Sequence, residues 1–132
     1  MQPPMQTSPL SAYREHLAAG HLAFQRDTLT GQAIFYPRVA APGSGHTDLV
    51  WEVSKGYGTV YATTAIQQRN DVPYNVALID MDEGFRLMSR VESIPADDVR
   101  IGQRVQVRIH HPGGEEAPYP VFEPVSDTVA AA

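Results

Sequence analysis

The stretch VALIDMDEGFRLMSRV, residues 76–91, is the part of the sequence that most clearly indicates a fold class. Two short apolar runs, Val76–Met81 and Arg86–Val91, flank the segment Asp82-Glu83-Gly84. Asp and Gly are typical turn residues, and short β-prone runs on either side of a turn are typical of a β-hairpin. The stretch therefore predicts two antiparallel strands joined by a tight turn.

The same stretch contains an acidic group, Asp80, Asp82 and Glu83, which has the composition of a metal or acid–base site. A hairpin turn explains these residues better, because neighbouring side chains in a strand point to opposite faces and no histidine accompanies them. The pair His110-His111 ends a later run before Pro-Gly-Gly. Its side chains are expected to point apart at a solvated strand end.

Further strand-like runs surround the hairpin: Trp51–Ser54, Thr59–Ile66, Arg104–His110 and Tyr119–Val125. The segment Ile94–Gly102, with one proline and two adjacent aspartates, suits a short helix between strands. Five or six short strands at this spacing, with one helical element, predict a small closed or partly closed barrel of the OB-fold type. The chain is therefore expected to be mainly β, in the α+β class, with a five-stranded OB-fold barrel.

An N-terminal helix is predicted upstream, with Ser8 as its cap, Pro9 at its first position and Gly20 at its end. Between this helix and the barrel, short apolar pieces alternate with glycine- and proline-containing turns, as in two small hairpins. The sequence predicts four parts: a tail and helical arm at 1–20, a ribbon-like segment at 21–50, the barrel at 51–125 and a tail at 126–132.

Composition removes several classes of function. The chain has 132 residues, no cysteine and a formal charge of −5, with ten basic against fifteen acidic residues. The absence of cysteine excludes disulfides, thiol nucleophiles and thiolate metal sites. The acidic balance argues against nucleic acid as a partner. No apolar run reaches 18 residues and the N-terminus lacks the layout of a signal peptide, so no membrane association and a cytoplasmic location are expected.

The order of these segments resembles the family of domain of unknown function thirty-five, whose members join a rubredoxin-like zinc ribbon to an OB-fold. The likeness is carried by AAGHLAFQR at 18–26, VALIDMDEG at 76–84 and, most specifically, DDVRIGQRVQV at 97–107. In the family, two C-x-x-C pairs hold zinc. The resemblance places these four positions at Asp27, Thr30, Ala41 and Ser44. Since zinc ribbons need thiolates, a degenerate, metal-free ribbon is expected, with no zinc and no tightly bound cofactor.

The resemblance also implies a function. Members of the family act as non-catalytic partners of thiolase-like or related acyl-CoA enzymes, so an accessory subunit or an acyl-CoA-binding module is expected, and not an enzyme. CoA phosphates are bound by arginines, and an aromatic side chain at the barrel mouth suits a ligand. The candidate ligand- or partner-binding residues are Arg38, Tyr57, Tyr74 and Arg90. The partner surface is expected to include the ribbon and the proline-rich segment 117–120, and self-association as a homodimer is left open.

A single-stranded nucleic-acid-binding OB-fold is the alternative. Such proteins stack bases on exposed aromatic side chains, with arginines alongside. The residues available for this role are Trp51, Tyr57, Tyr61, Tyr74, Arg69, Arg86, Arg90, Arg104 and Arg108. The net acidity and the single lysine make this alternative less favoured than the acyl-CoA partner.

Overall fold

The computed structural model describes residues 8–67, 69–70 and 72–125; the predicted tails at 1–7 and 126–132 lie outside them. The chain divides into two compact units. The first, here called the ribbon unit, comprises the described residues up to Lys55 together with Ile109–Tyr119. The second, here called the barrel unit, comprises Gly56–Arg108 and the described residues from Pro120 onward.

The ribbon unit begins with helix α1, Pro9–Ala18. Its start is as predicted, because the Ser8 hydroxyl accepts a hydrogen bond from the Ser11 backbone N–H at 3.1 Å. Leu17 is buried, and the Tyr13 ring packs edge-on against Phe35 with 5.5 Å between ring centroids. These contacts fix the helix to the ribbon unit through one turn of its surface.

Three strands follow in the ribbon unit: β1 Ala23–Asp27, β2 Ala33–Ile34 and β3 Leu49–Val53. They form an antiparallel sheet in the order β2-β1-β3, with Gln25 opposite both Ile34 and Trp51. The structure thus differs from the prediction in one element: the run Trp51–Ser54, expected in the barrel, pairs with β1 in the ribbon sheet. Residues of β3 are half-buried or exposed, without the regular alternation of β5, and the pairing with β1 places the strand in the ribbon sheet.

The barrel is built on five strands and a short 3-10 helix, and its strands lie almost wholly in the barrel unit. The strands are β4 Tyr57–Ile66, β5 Tyr74–Met81, β6 Arg86–Ser89, β7 Arg104–His110 and β8 Tyr119–Pro124, and the 3-10 helix is Ala96–Asp98. Their order in the sheet is β6-β5-β4-β7-β8. The predicted hairpin is present, with the Gly84 N–H bonded to the Met81 carbonyl at 2.9 Å. The strand predicted at Tyr119–Val125 is present as β8, which includes Tyr119 and Pro120 of the proline-rich segment.

The two edges of this sheet are joined by a parallel bridge between Val91 and Phe122. The Phe122 N–H donates to the Arg90 carbonyl at 2.9 Å, and the Glu92 N–H donates to the Phe122 carbonyl at 2.7 Å. The third and fifth barrel strands therefore meet in parallel, which closes the five-stranded sheet. A closed five-stranded barrel with a helical element before its fourth strand is the OB-fold, so the predicted fold class is confirmed.

Two glycines allow the first barrel strand to bend closely past its neighbours. Gly56 has φ of +92°, and a Cβ there would lie 2.8 Å from Val107 Cγ1. A Cβ at Gly58 would lie 2.8 Å from Ile79 Cγ2 and 2.9 Å from the Asp80 carbonyl oxygen. The motif Gly56-Tyr57-Gly58 thus acts as a corner of the barrel, as expected for glycine in a strand.

The barrel interior is filled by apolar side chains, all less than 7% exposed: Val60, Ala77, Ile79, Met81, Phe85, Leu87, Val91, Val99, Val105, Val121 and Phe122. One polar residue of the barrel, Asn75, is buried among them at 3% exposure. No helix in the described part of the chain is long and apolar enough to cross a membrane.

Candidate functional site

The outer face of β4, β5 and β6 presents an apolar groove. Residues of β5 alternate between buried and half-exposed positions, so Val76 and Leu78 point outward. The register places Leu78 between Ala62 and Met88, and Val76 beside Thr64. These side chains line a groove of about 310 Å³, and Met88 is 59% exposed at its edge. We call this surface, Ala62, Thr63, Thr64, Val76, Ala77, Leu78 and Met88, the barrel groove.

A polar cleft of about 280 Å³ lies beside the barrel groove, at the end of β5 that begins with Tyr74. Two of the predicted site residues, Tyr74 and Arg90, line this cleft together. Its remaining walls are Pro73, Asn75, Val91, Glu92, Ser93, Ile94 and Ala96. The structure therefore brings together Tyr74 and Arg90, which are separated by sixteen positions in the sequence.

The arginine of this cleft, Arg90, belongs to a network of ion pairs. Arg90 Nε lies 2.7 Å from Glu92 Oε2, and Glu92 also contacts Arg108. Arg108 Nε in turn lies 3.0 Å from Glu123 Oε2, which accepts a hydrogen bond from the Ser93 hydroxyl at 2.9 Å. Two arginines and two glutamates thus alternate in one network. The positive charge of Arg90 is balanced within the protein.

Two further ion pairs lie at the opposite end of the barrel groove. Arg86 Nη2 bonds Asp80 Oδ2 at 3.1 Å, and the Arg86 guanidinium lies 3.5 Å from the centre of the Tyr61 ring. Arg104 holds Asp82 with two hydrogen bonds of 2.7 and 2.8 Å. These bonds from Arg104 keep the pKa of the Asp82 carboxyl below its ordinary value, outweighing the partial loss of hydration. Acidic and basic side chains are therefore matched at this end as well.

The other two predicted ligand residues lie elsewhere. Tyr57 begins β4 at the end of the strand remote from Ile66, which is the residue paired with Tyr74. Arg38 belongs to the ribbon unit, where its backbone N–H and carbonyl bond the Gln25 side chain at 2.6 and 2.8 Å. Of the four residues, the structure thus groups only Tyr74 with Arg90. The period of two along β5 contained a signal for the groove itself, which the sequence analysis did not use.

The four positions matched to zinc ligands lie in the ribbon unit, at two turns of the chain. Asp27 is fully buried and its Oδ2 lies 3.0 Å from His46 Nδ1 and 3.4 Å from the Ser44 hydroxyl. Ala41, the third position, is also buried and offers only a methyl group. One carboxylate, two hydroxyls and a methyl do not form the tetrahedral set of soft ligands that structural zinc requires. The residues present do not fit the metal of the resembled family.

The remaining candidate residues are explained by their packing contacts and their places in the fold. The His110 ring lies 5.0 Å from the ring of Tyr119, and His16 lies 5.5 Å from Trp51. Within residues 8–67, 69–70 and 72–125, no group of three or more His, Asp or Glu side chains is arranged to hold a metal ion. The acidic group Asp80, Asp82 and Glu83 is divided between a strand and a turn, as expected from its sequence.

The chain is similar to known proteins both in sequence and in structure. The family model described as ChsH2, C-terminal OB-fold domain, matches residues 51–110. The chain is also similar to a solved structure named Ltp2-ChsH2(DUF35) aldolase, with a TM-score of 0.78 and 25% sequence identity. That likeness covers 93% of this chain and 98% of the other. No curated protein matches the chain.

One prediction is wrong in the light of this comparison. The sequence analysis excluded an enzyme because members of the resembled family act as non-catalytic partners, whereas the similar structure is named an aldolase. The resemblance to a family alone did not justify that exclusion. The resemblance stated above is confirmed: the family model described as ChsH2, C-terminal OB-fold domain, matches residues 51–110, and the similar structure carries DUF35, domain of unknown function thirty-five, in its name.

Proposed function

We propose that this chain is one component of an aldolase that acts on an acyl-CoA, and that its partner is a thiolase-like enzyme. The observation that carries the proposal is the extent of the likeness to the Ltp2-ChsH2(DUF35) aldolase, which spans both the ribbon unit and the barrel unit. A match to the barrel alone would support only a shared fold, since OB-folds serve many functions.

The chemistry suits such a partnership. Aldol cleavage of a β-hydroxyacyl thioester breaks the bond between its α and β carbons as a base removes the hydroxyl proton. The electron pair of that bond passes to the thioester as an enolate, which is then protonated to an acyl-CoA, while the β carbon leaves as a carbonyl compound. Stabilising the enolate oxygen requires donors placed in advance. Thiolase-like enzymes handle the same thioester enolate, so a component that completes their site can redirect it.

The barrel groove is our candidate for the contact with this partner. Its lining is mainly apolar, with Val76 and Leu78 half-exposed and Met88 exposed at its edge, and no charged side chain belongs to this lining. Protein interfaces commonly have this anatomy, with an apolar centre depleted of charge and a polar rim. At the two ends, the charges of Arg86 and Arg90 are already paired with Asp80 and Glu92, so burial of the rim leaves no isolated charge.

Direct capture of CoA by this chain alone is less well supported. The cleft with Tyr74 and Arg90 is small for CoA at about 280 Å³, and Glu92 balances the guanidinium that a phosphate would need. Arg38, the other proposed phosphate ligand, lies in the ribbon unit. We therefore place the acyl-CoA mainly on the partner and give this chain a part in completing the site.

The structure supports binding of single-stranded nucleic acid less well than the sequence alone did. Four of the five arginines on which that alternative rests are in ion pairs: Arg86, Arg90, Arg104 and Arg108. The Arg86 guanidinium lies over one face of the Tyr61 ring, so that face is taken by the protein itself. Phosphate binding depends on uncompensated positive charge, which this surface provides poorly.

Affinity purification from the native cells under gentle conditions tests the proposal. Mass spectrometry of the eluate should identify a thiolase-like enzyme in near-equal amount with this chain. Nucleic acid in the same eluate, lost as salt is raised and with no such enzyme present, would show that the barrel is a strand binder. A homodimer without a second protein would also contradict the proposed partnership.

A further inference from the structure

The first turn of the ribbon unit has the backbone of a metal knuckle. It joins β1 to β2 through residues 27–32. The Asp27 carbonyl accepts from the Gly31 N–H at 2.8 Å, and the Asp27 N–H donates to the Gln32 carbonyl at 2.9 Å. The Thr30 hydroxyl accepts from the Gln32 N–H at 3.2 Å, and Gly31 has φ of +81°. Three hydrogen bonds and one left-handed glycine thus define the turn.

The second turn, fourteen positions later, repeats this arrangement bond for bond. The Ala41 carbonyl accepts from the Gly45 N–H at 2.9 Å, and the Ala41 N–H donates to the His46 carbonyl at 2.8 Å. The Ser44 hydroxyl accepts from the His46 N–H at 3.2 Å, and Gly45 has φ of +76°. The two turns are therefore equivalent in backbone structure, although they share almost no sequence apart from the glycine.

A carboxylate lies where these two turns meet. Asp27 is 0% exposed, and its side chain receives bonds from both turns. From its own turn come the Leu29 N–H at 2.9 Å and the Thr30 hydroxyl. From the other turn come His46 Nδ1 at 3.0 Å and the Ser44 hydroxyl at 3.4 Å. The carboxylate thus has four partners, two on each side.

We propose that the Asp27 carboxylate has replaced the metal ion as the group that ties the two knuckles of the ribbon together. A structural zinc ion links two turns by accepting ligands from each, and Asp27 does the same with hydrogen-bond donors. A buried carboxylate is costly without partners, and four partners satisfy it. The chain therefore keeps the shape of a zinc ribbon without depending on a supply of zinc.

Metal content and chelation test the first half of this proposal. The full-length protein, expressed with and without added zinc, should contain no stoichiometric zinc by elemental mass spectrometry. Its melting temperature should be the same with and without EDTA. Zinc at about one ion per chain, removable by EDTA with a fall in melting temperature, would overturn the proposal.

Substitution tests the second half. Asp27→Asn keeps the size of the side chain and removes its charge, and should lower the melting temperature by roughly 5 °C or more. Asp48→Asn is a matched control, because Asp48 is exposed in the same unit; it should change the melting temperature by no more than about 2 °C. Equal effects of the two variants would contradict a special role of Asp27.

A third variant keeps the test informative if Asp27→Asn does not fold. His46→Ala removes one partner from the second turn and should destabilise less than Asp27→Asn. In the doubly substituted chain the losses should be less than additive, because the two groups share one bond. If Asp27→Asn gives no folded protein, His46→Ala alone must still lower the melting temperature relative to Asp48→Asn, and an unchanged value would overturn the proposal.

Restoring the ligands provides the positive test. The fourfold variant Asp27→Cys, Thr30→Cys, Ala41→Cys, Ser44→Cys should bind about one zinc ion per chain, since the two turns already have the required backbone. Its melting temperature should then fall on addition of EDTA, whereas that of the natural sequence should not. Absence of zinc binding by a folded fourfold variant would show that the turns are not a preserved knuckle pair.

Discussion

The side-chain carbonyl of Asn75 accepts a hydrogen bond from the backbone N–H of Val91 at 3.0 Å, inside the barrel. The amide of the same side chain donates to the Thr63 hydroxyl at 2.7 Å and to the Thr64 carbonyl at 3.1 Å. One buried residue of β5 thus joins β4 to the segment that closes the barrel against Phe122. It also fixes one wall of the polar cleft that contains Tyr74.

Replacing Asn75 should therefore cost more stability than its size suggests. We expect Asn75→Ala to reduce the free energy of unfolding by about 2–3 kcal/mol, because a buried backbone N–H at Val91 loses its partner. Unfolding in urea measures this. Gln106→Ala, at an exposed position of β7, is the control and should change stability by less than about 0.5 kcal/mol. Similar losses in both variants would show that the Asn75 bonds contribute little.

Close packing at Gly58, in the corner at the start of β4, should make this position sensitive to substitution. In Gly58→Ala the new methyl group meets Ile79 at 2.8 Å and the Asp80 carbonyl at 2.9 Å, and we expect a loss of about 2–3 kcal/mol. Gly43→Ala separates crowding from backbone strain, because its Cβ meets nothing although φ is +87°. That variant should lose about 1 kcal/mol. An equal or greater loss in Gly43→Ala would refute close packing at Gly58.

The barrel groove predicts where the partner binds. A charge placed in an apolar interface is costly to bury, so Leu78→Asp and Met88→Asp should each weaken binding of the thiolase-like partner at least tenfold. Both positions are outward-facing, so the melting temperature of the isolated chain should change little. Ile101→Asp introduces the same charge at another exposed apolar residue, 70% exposed, and should leave binding unchanged. Isothermal titration calorimetry gives these affinities; unaltered binding by both groove variants would exclude the groove.

We expect Tyr13 on helix α1 to ionise at an unusually high pH, which ultraviolet absorbance can detect. Burial raises the pKa of Tyr13 to about 12, and the nearby Tyr36 adds to the shift. Since the folded pKa lies above the ordinary value near 10, Tyr13 contributes stability that is complete below about pH 10 and is lost as pH rises toward 12. Ultraviolet titration of tyrosinate should show a component near pH 12 that is absent in Tyr13→Phe. A titration curve unchanged by that substitution would mean that Tyr13 is not buried.

Local chemistry made parts of this structure predictable. The turn at Asp82–Gly84 and the helix cap at Ser8 depend on residues close in sequence, and both are present. The run Trp51–Ser54 was expected in the barrel, but it overlaps the ribbon strand β3, because a strand-like pattern does not identify the pairing partner. Closure by the parallel bridge likewise depends on two segments about thirty residues apart.

The site residues show the same limit. Asn75 occupies an inward position in the alternation of β5, so its burial was foreseeable, but its bond to Val91 was not. The resemblance placed Asp27 and Ser44 at one lost metal site, but it did not show that the Asp27 carboxylate would bond the Ser44 hydroxyl and His46. The pairing of Arg90 with Glu92 is local, yet nothing in the sequence distinguished a paired arginine from a phosphate ligand.

The most direct test of the central claim is the rate of aldol cleavage in a reconstituted mixture. The thiolase-like protein that co-purifies with this chain would be assayed on a β-hydroxyacyl-CoA, alone, with this chain, and with Leu78→Asp. We predict cleavage by the mixture, measured as release of the carbonyl product, with little activity for either protein alone and a marked loss with Leu78→Asp. Equal rates with and without this chain would contradict its assignment as a component of an aldolase.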